Sequence, residues 1–60
     1  MTYRELDVVK TKDGREGTIL LIYGDPVEAY EIEYAGGKGD THTIPVDDVE
    51  ELVRRMPCGT

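Results

Sequence analysis

Sixty residues carry thirteen Asp and Glu against seven Lys and Arg, a net charge of −6. A chain this short buries only about 60% of the surface that its unfolded form exposes, which leaves room for one domain over residues 1–60 and none for a deep substrate cleft. Cys58 is the only cysteine, so an internal disulfide is excluded, and with His42 it offers zinc two of the four ligands a structural site needs. No metal or other cofactor is expected.

The charge bears on partners. Phosphates would repel the chain, and its basic residues are scattered, so no nucleic acid is expected. The acids gather in "DPVEAYEIE" and "DDVEE", which points to a protein partner with a basic or apolar surface. The opening "MTYRELDVV" lacks the apolar core of a signal peptide, and no apolar run approaches the roughly 18 residues of a membrane span. A lone cysteine fits a reducing compartment. The expected setting is cytoplasmic, with no membrane partner.

Turn signals fall at Lys12-Asp13-Gly14, Gly24-Asp25-Pro26, Gly36-Gly37-Lys38-Gly39 and Pro45, with runs rich in Val, Ile, Tyr and Thr between them. Short strands at this spacing predict an all-β fold. The first strand is expected over residues 6–11, with Leu6, Val8 and Lys10 on one face and Val9 on the other. The second spans 17–23. The third, 29–34, alternates Tyr30, Ile32 and Tyr34 with Glu31 and Glu33, one face buried and one wet. A glycine-rich hairpin loop follows. The fourth strand, 41–44, has Ile44 as its core residue and stops at Pro45, which cannot donate to a ladder.

The segment "PVDDVEELVRR" admits two readings. Val46, Val49 and Val53 fit one face of a short helix. The alternative is one helical turn at Val46-Asp47-Asp48, where the aspartates satisfy backbone donors, and then a strand over 49–54 packing Leu52 or Val53. Turn plus strand is favoured because it closes a barrel and removes an edge. Residues 55–60 are expected to be a loose tail.

The run Ile19-Leu20-Leu21-Ile22 breaks the alternation of a half-buried strand. Ile19 and Ile22 are three apart, which a regular strand places on opposite faces. A β-bulge would aim both inward and bend the strand as a small barrel requires. Leu20, Leu21 or both then point outward, near Val9. Burying roughly 300 Å² of such apolar area contributes about 7 kcal/mol gross, against association costs on the order of 4–15 kcal/mol. A patch of that size fits a weak homodimer or one part of a larger interface.

The order of these elements resembles the small SH3-like barrel, five antiparallel strands with one helical turn before the last. "VVKTKDGREGTILLI" is similar to the KOW-type half of such barrels, where one Gly makes the turn and a second opens the next strand as "GTI". Gly14 supplies positive φ there, and Gly17 lets a bent strand start against a neighbour's backbone. The chain over about residues 4–53 also resembles a family of short bacterial proteins classed as a domain of unknown function. The shared pieces are Glu5-Leu6-Asp7-Val8-Val9, Gly17-Thr18-Ile19, Ala29-Tyr30-Glu31-Ile32-Glu33-Tyr34 and Thr43-Ile44-Pro45. The first loop, 12–15, is shorter than is usual in that family. The resemblance implies binding roles and brings no catalytic residue. KOW barrels often bind RNA, which the acidic charge opposes here.

No catalytic constellation stands out. The chain has no serine and one histidine, so nucleophile–base triads lack their parts. His42 reads as an exposed or cross-strand-paired residue. Glu31 with Glu33, Asp47 with Asp48 and Glu50 with Glu51 are paired carboxylates, but a glycosidase needs a sugar-holding cleft between them. Calcium spacing of the DxDxDG kind is absent. Tyr3, Tyr23, Tyr30 and Tyr34 raise an aromatic cage for methylated ammonium; alternation places Tyr30 and Tyr34 in the core instead. The expected function is a small non-catalytic protein-interaction module, possible as a homodimer, with Leu20, Leu21, Tyr23, Glu31 and Glu33 as the interaction surface. The alternative is an acidic antitoxin- or immunity-type protein that covers a basic toxin or nuclease. A KOW-like nucleic-acid binder ranks below both.

Overall fold

The computed structural model describes residues 3–37 and 39–55. Lys38 of the glycine-rich loop and, of the tail expected over 55–60, residues 56–60 with Cys58 lie outside them. The elements run β1 (Val8–Thr11), β2 (Glu16–Tyr23), β3 (Ala29–Tyr34), β4 (Thr41–Pro45), a 3₁₀ turn (Val46–Asp48) and β5 (Val49–Arg54). All four neighbouring pairs are antiparallel, in the order β4-β3-β2-β1-β5. The fold is all-β, and turn plus strand is the outcome over 46–54.

Among the described residues no ladder joins β4 to β5, so the sheet is open. The 3₁₀ turn spans the gap. The Val46 amide donates to the Glu28 carbonyl at 3.0 Å, and the Asp48 carbonyl accepts from the Lys12 amide at 2.9 Å. The turn has no side-chain cap, so Asp47 and Asp48 do not satisfy its donors as expected; the backbone does that itself, with Val49 N–H bonding Val46 O.

The inner face of the sheet holds the core: Val9, Ile19, Tyr30, Ile32, Tyr34 and Ile44, with Tyr3, Ile22, Val27, Val46, Val49 and Leu52 packed against them. Of the two candidates in β5, Leu52 packs and Val53 is exposed. The expected bulge is present. Ile19 pairs with Ile32 and Leu21 with Glu31, leaving Leu20 as the extra residue. Ile19 and Ile22 both face inward as a result, and Leu21 faces out.

The start of the chain differs from the expected strand. β1 begins at Val8, and Leu6 lies in the preceding turn at φ 71. A leucine in this left-handed region costs roughly 1–2 kcal/mol. It is held there from both sides: the Leu6 amide donates to Ile19 O at 2.7 Å, and Ile19 N–H donates to Asp7 O at 2.9 Å. The buried face of this segment is Asp7, Val9 and Thr11. Val9 is therefore core and adds nothing to an outward patch with Leu20 and Leu21.

Arg4 and Arg55 meet at Asp7. Its carboxylate is 1% exposed and takes a two-pronged contact from Arg55, Nε to Oδ1 at 3.1 Å and Nη2 to Oδ2 at 2.9 Å, plus the Arg4 amide at 2.8 Å. A planar guanidinium matched to a carboxylate is the strong form of charge-assisted hydrogen bond. Gly17 settles how closely β2 lies on β3: a Cβ there would meet the Glu33 carbonyl and Ile32 Cδ1, each at 3.1 Å.

Candidate interaction surface

Four of the five residues singled out from the sequence share the outer face of β2 and β3. Leu21 is directly opposite Glu31, Tyr23 opposite Ala29, and Glu33 opposite Thr18. Leu21 is 47% exposed and Tyr23 40%. Leu20, at the bulge, is half-buried. Alternation puts Leu21 and Tyr23 outward because Ile22 between them packs on the core.

The acids of this face are not loose. The Tyr23 hydroxyl donates to Glu31 Oε1 at 2.7 Å, and the Gly39 amide donates to Glu33 Oε2 at 2.9 Å. The carboxylate beside it, together with partial burial, pushes the Tyr23 phenol above its ordinary value. Each glutamate keeps its other oxygen, so both can still accept from a donor on a partner. The result is an apolar pair, Leu21 with the Tyr23 ring, rimmed by two anchored negative charges.

A second feature lies on the opposite face. A shallow groove of about 370 Å³ separates β4 from the β1–β2 turn, lined by Lys12, Asp13, Arg15, Tyr34, His42 and Asp48 among others. The Arg15 guanidinium stacks 3.9 Å over the Tyr34 ring. Its far side is held by Asp13, with Nε and Nη2 each 2.7 Å from Oδ2. Asp13 also accepts a short bond from the Thr11 hydroxyl. Arg15 first, then Thr11, hold the Asp13 carboxyl down to about 2. His42 tilts against Tyr34, ring centres 5.3 Å apart, with Nε2 3.3 Å from Asp40 Oδ2.

These contacts answer the aromatic-cage idea. Tyr30 and Tyr34 are core, and Tyr3 meets Tyr30 edge-on at 6.0 Å. Tyr23 stands apart on the outer face. No group of three or more metal-ligating side chains occurs among the described residues, and no helix there is long and apolar enough to cross a membrane. Sequence reasoning missed the Asp7–Arg55 pair and the Arg15–Tyr34 stack. A signal for the first was present: Asp7, Val9 and Thr11 keep period two, which puts a carboxylate on the buried side. Its partner, 48 residues away, left none. Comparisons with protein-family models, with curated proteins and with solved structures return no match.

Proposed function

We propose that this chain is a small non-catalytic protein-interaction module that docks through the outer face of β2 and β3. The observation that carries the reading is the pairing of Leu21 and Tyr23, two large exposed side chains, with Glu31 and Glu33 as an acidic rim. Aromatic and aliphatic anchors inside a polar rim are the usual anatomy of a protein interface. A standard interface covers about 800 Å² per partner. Against a total surface of 4232 Å² that is about a fifth, so the anchors would form its centre and the acids its edge.

The scaffold we propose is an SH3-like barrel of the KOW kind, related to the short bacterial family that the sequence resembles. Its support is the strand order with a 3₁₀ turn between the last two strands and a bulge that bends β2. The protein acts in the cytoplasm in this reading. The partner presents a basic or apolar surface, and nucleic acid is disfavoured by the charge of −6. The acidic rim favours one specific version, an antitoxin- or immunity-type role in which a basic toxin or nuclease is covered. A second copy on the Leu21 face would make a homodimer.

The test is paired capture from the native cell with the wild-type chain and with Leu21→Glu/Tyr23→Ala. A protein retained by the first and released by the second supports the reading. Identical retained sets overturn it. Light scattering at high concentration separates the homodimer: a monomeric wild-type chain removes that version.

A further inference from the structure

The two edges of the sheet are not alike. β5 is protected in the ways edge strands usually are. Its register against β1 shifts twice, leaving Glu50 and Val53 as extra residues that twist it, and four of its side chains, Glu50, Glu51, Val53 and Arg54, are exposed. β4 is also exposed at four of its five residues and ends at Pro45, but it has no bulge and no charge. Its register against β3 runs without a break over five residue pairs, and "THTIP" carries no Lys, Arg, Asp or Glu.

Two bonds fix which way the β4 backbone points. The Ala35 amide donates to Glu16 O at 2.9 Å, so the odd-numbered residues of β3 turn toward β2; the Val46 amide donates to Glu28 O at 3.0 Å, so the even-numbered ones turn toward β4. In an antiparallel ladder bonded and non-bonded pairs alternate. Ile44 with Tyr30 and His42 with Ile32 are therefore the bonded pairs. The amides and carbonyls of Thr41 and Thr43 face away from the sheet, and both residues are exposed. Beside this edge runs the groove floored by Tyr34 and His42.

We infer that the free edge of β4 takes up an extended basic segment of a partner protein as a sixth strand. Strand addition draws affinity from main-chain bonds and specificity from alternate side chains. One set of side chains would enter the groove toward Asp48. The other set would lie over Thr41 and Thr43, whose cross-strand partners are Glu33 and Glu31. Those glutamates are two strand spacings from the added strand, about 9–10 Å, within reach of a lysine or arginine. The surroundings have the matching sign: Asp13, Asp40, Asp47 and Asp48 against Lys12 and Arg15. A second copy suits the edge poorly. Pairing Thr43 with its own copy sets Pro45, which has no N–H, opposite Thr41, and brings Asp40 next to Asp47 of the other chain. The edge meets the Leu21 face at Glu31 and Glu33, but neither Leu21 nor Tyr23 pairs with β4, so Leu21→Glu/Tyr23→Ala and Thr43→Pro test the two proposals separately.

The probe is a nine-residue peptide alternating lysine with valine, compared with the same peptide carrying glutamate for lysine. The readout is amide hydrogen exchange of the labelled wild-type chain by NMR. The lysine peptide is expected to slow exchange at Thr41 and Thr43 by about tenfold or more, and to leave His42 and Ile44 as they were. The glutamate peptide is expected to do neither. Thr43→Pro removes an outward donor and no ladder bond, and should weaken the lysine peptide about fivefold to tenfold. Four results overturn the inference: no binding at millimolar peptide, binding with Thr41 and Thr43 unchanged, equal binding of the glutamate peptide, or Thr41 and Thr43 already protected by self-association.

Discussion

Removing Arg55 leaves the Asp7 carboxylate, 1% exposed, with the Arg4 amide as its remaining close donor. Breaking a buried pair from one side typically costs about 3–5 kcal/mol, because a charge stays behind out of water. The Arg55 side chain is itself 34% exposed, which screens the pair and lowers the expectation to about 2–3 kcal/mol. A 60-residue chain has a total stability of about 3–9 kcal/mol at usual per-residue values, so Arg55→Ala should remove about a fifth of it or more. Asp7→Asn should cost less, about 1–2 kcal/mol, since it deletes the buried charge and lets Arg55 turn into solvent. Urea unfolding followed by circular dichroism measures both. Acid adds a second reading of the same pair. Arg55, then the Arg4 amide, hold the Asp7 carboxyl below 3.8 despite its burial. A carboxyl lowered on folding stabilises above its unfolded value, and that contribution is lost as pH falls through the folded value. The wild-type chain should weaken below about pH 4, and Asp7→Asn should flatten that slope. Arg55→Ala within 0.5 kcal/mol of wild type, or Asp7→Asn costing more than Arg55→Ala, would refute the reasoning.

Gly17→Ala should destabilise by about 1–3 kcal/mol, because its Cβ meets the Glu33 carbonyl at 3.1 Å and β3 must give by a few tenths of an ångström; the same urea assay reads it, and no loss would show that β3 yields freely. The Asp13 carboxyl should titrate by NMR near about 2, and Arg15→Ala should return it toward 3.8. The Tyr23 phenol should ionise above its ordinary value of 10.0, and Glu31→Gln should bring it back down; the ring carbon shift against pH follows both. Leu21→Glu should change stability by less than about 0.5 kcal/mol, since Leu21 lies on the outer face at 47% exposure; a large loss would mean that Leu21 is structural.

How far the residues foretold this arrangement depends on the range of the interactions. β3 was legible because Tyr30, Ile32 and Tyr34 alternate with glutamates without interruption. The bulge was legible from a single conflict, two isoleucines three apart that both needed the core. The choice of turn and strand over 46–54 rested on topology, and the structure decided it at Val46–Asp48 and Val49–Arg54. Leu6 was misplaced because its left-handed backbone is imposed by bonds to Ile19, which nothing local announces. The outward residues of β3 followed from alternation alone, and those of β2 needed the bulge as well. The β4 edge did not: it depends on which strand ends up last in the sheet and on the parity of its bonds. Closure was the boldest expectation, and the gap is spanned by the 3₁₀ turn, with no β4–β5 ladder among the described residues.

The proposed function requires the outer face of β2 and β3 to be a docking surface. Quantitative capture from the native cell, wild type against Leu21→Glu/Tyr23→Ala, tests it most directly once both chains are shown to unfold at the same urea concentration. A protein held in near-stoichiometric amount by the wild type and absent from the variant is the predicted result. The same protein, held equally by both, would contradict it.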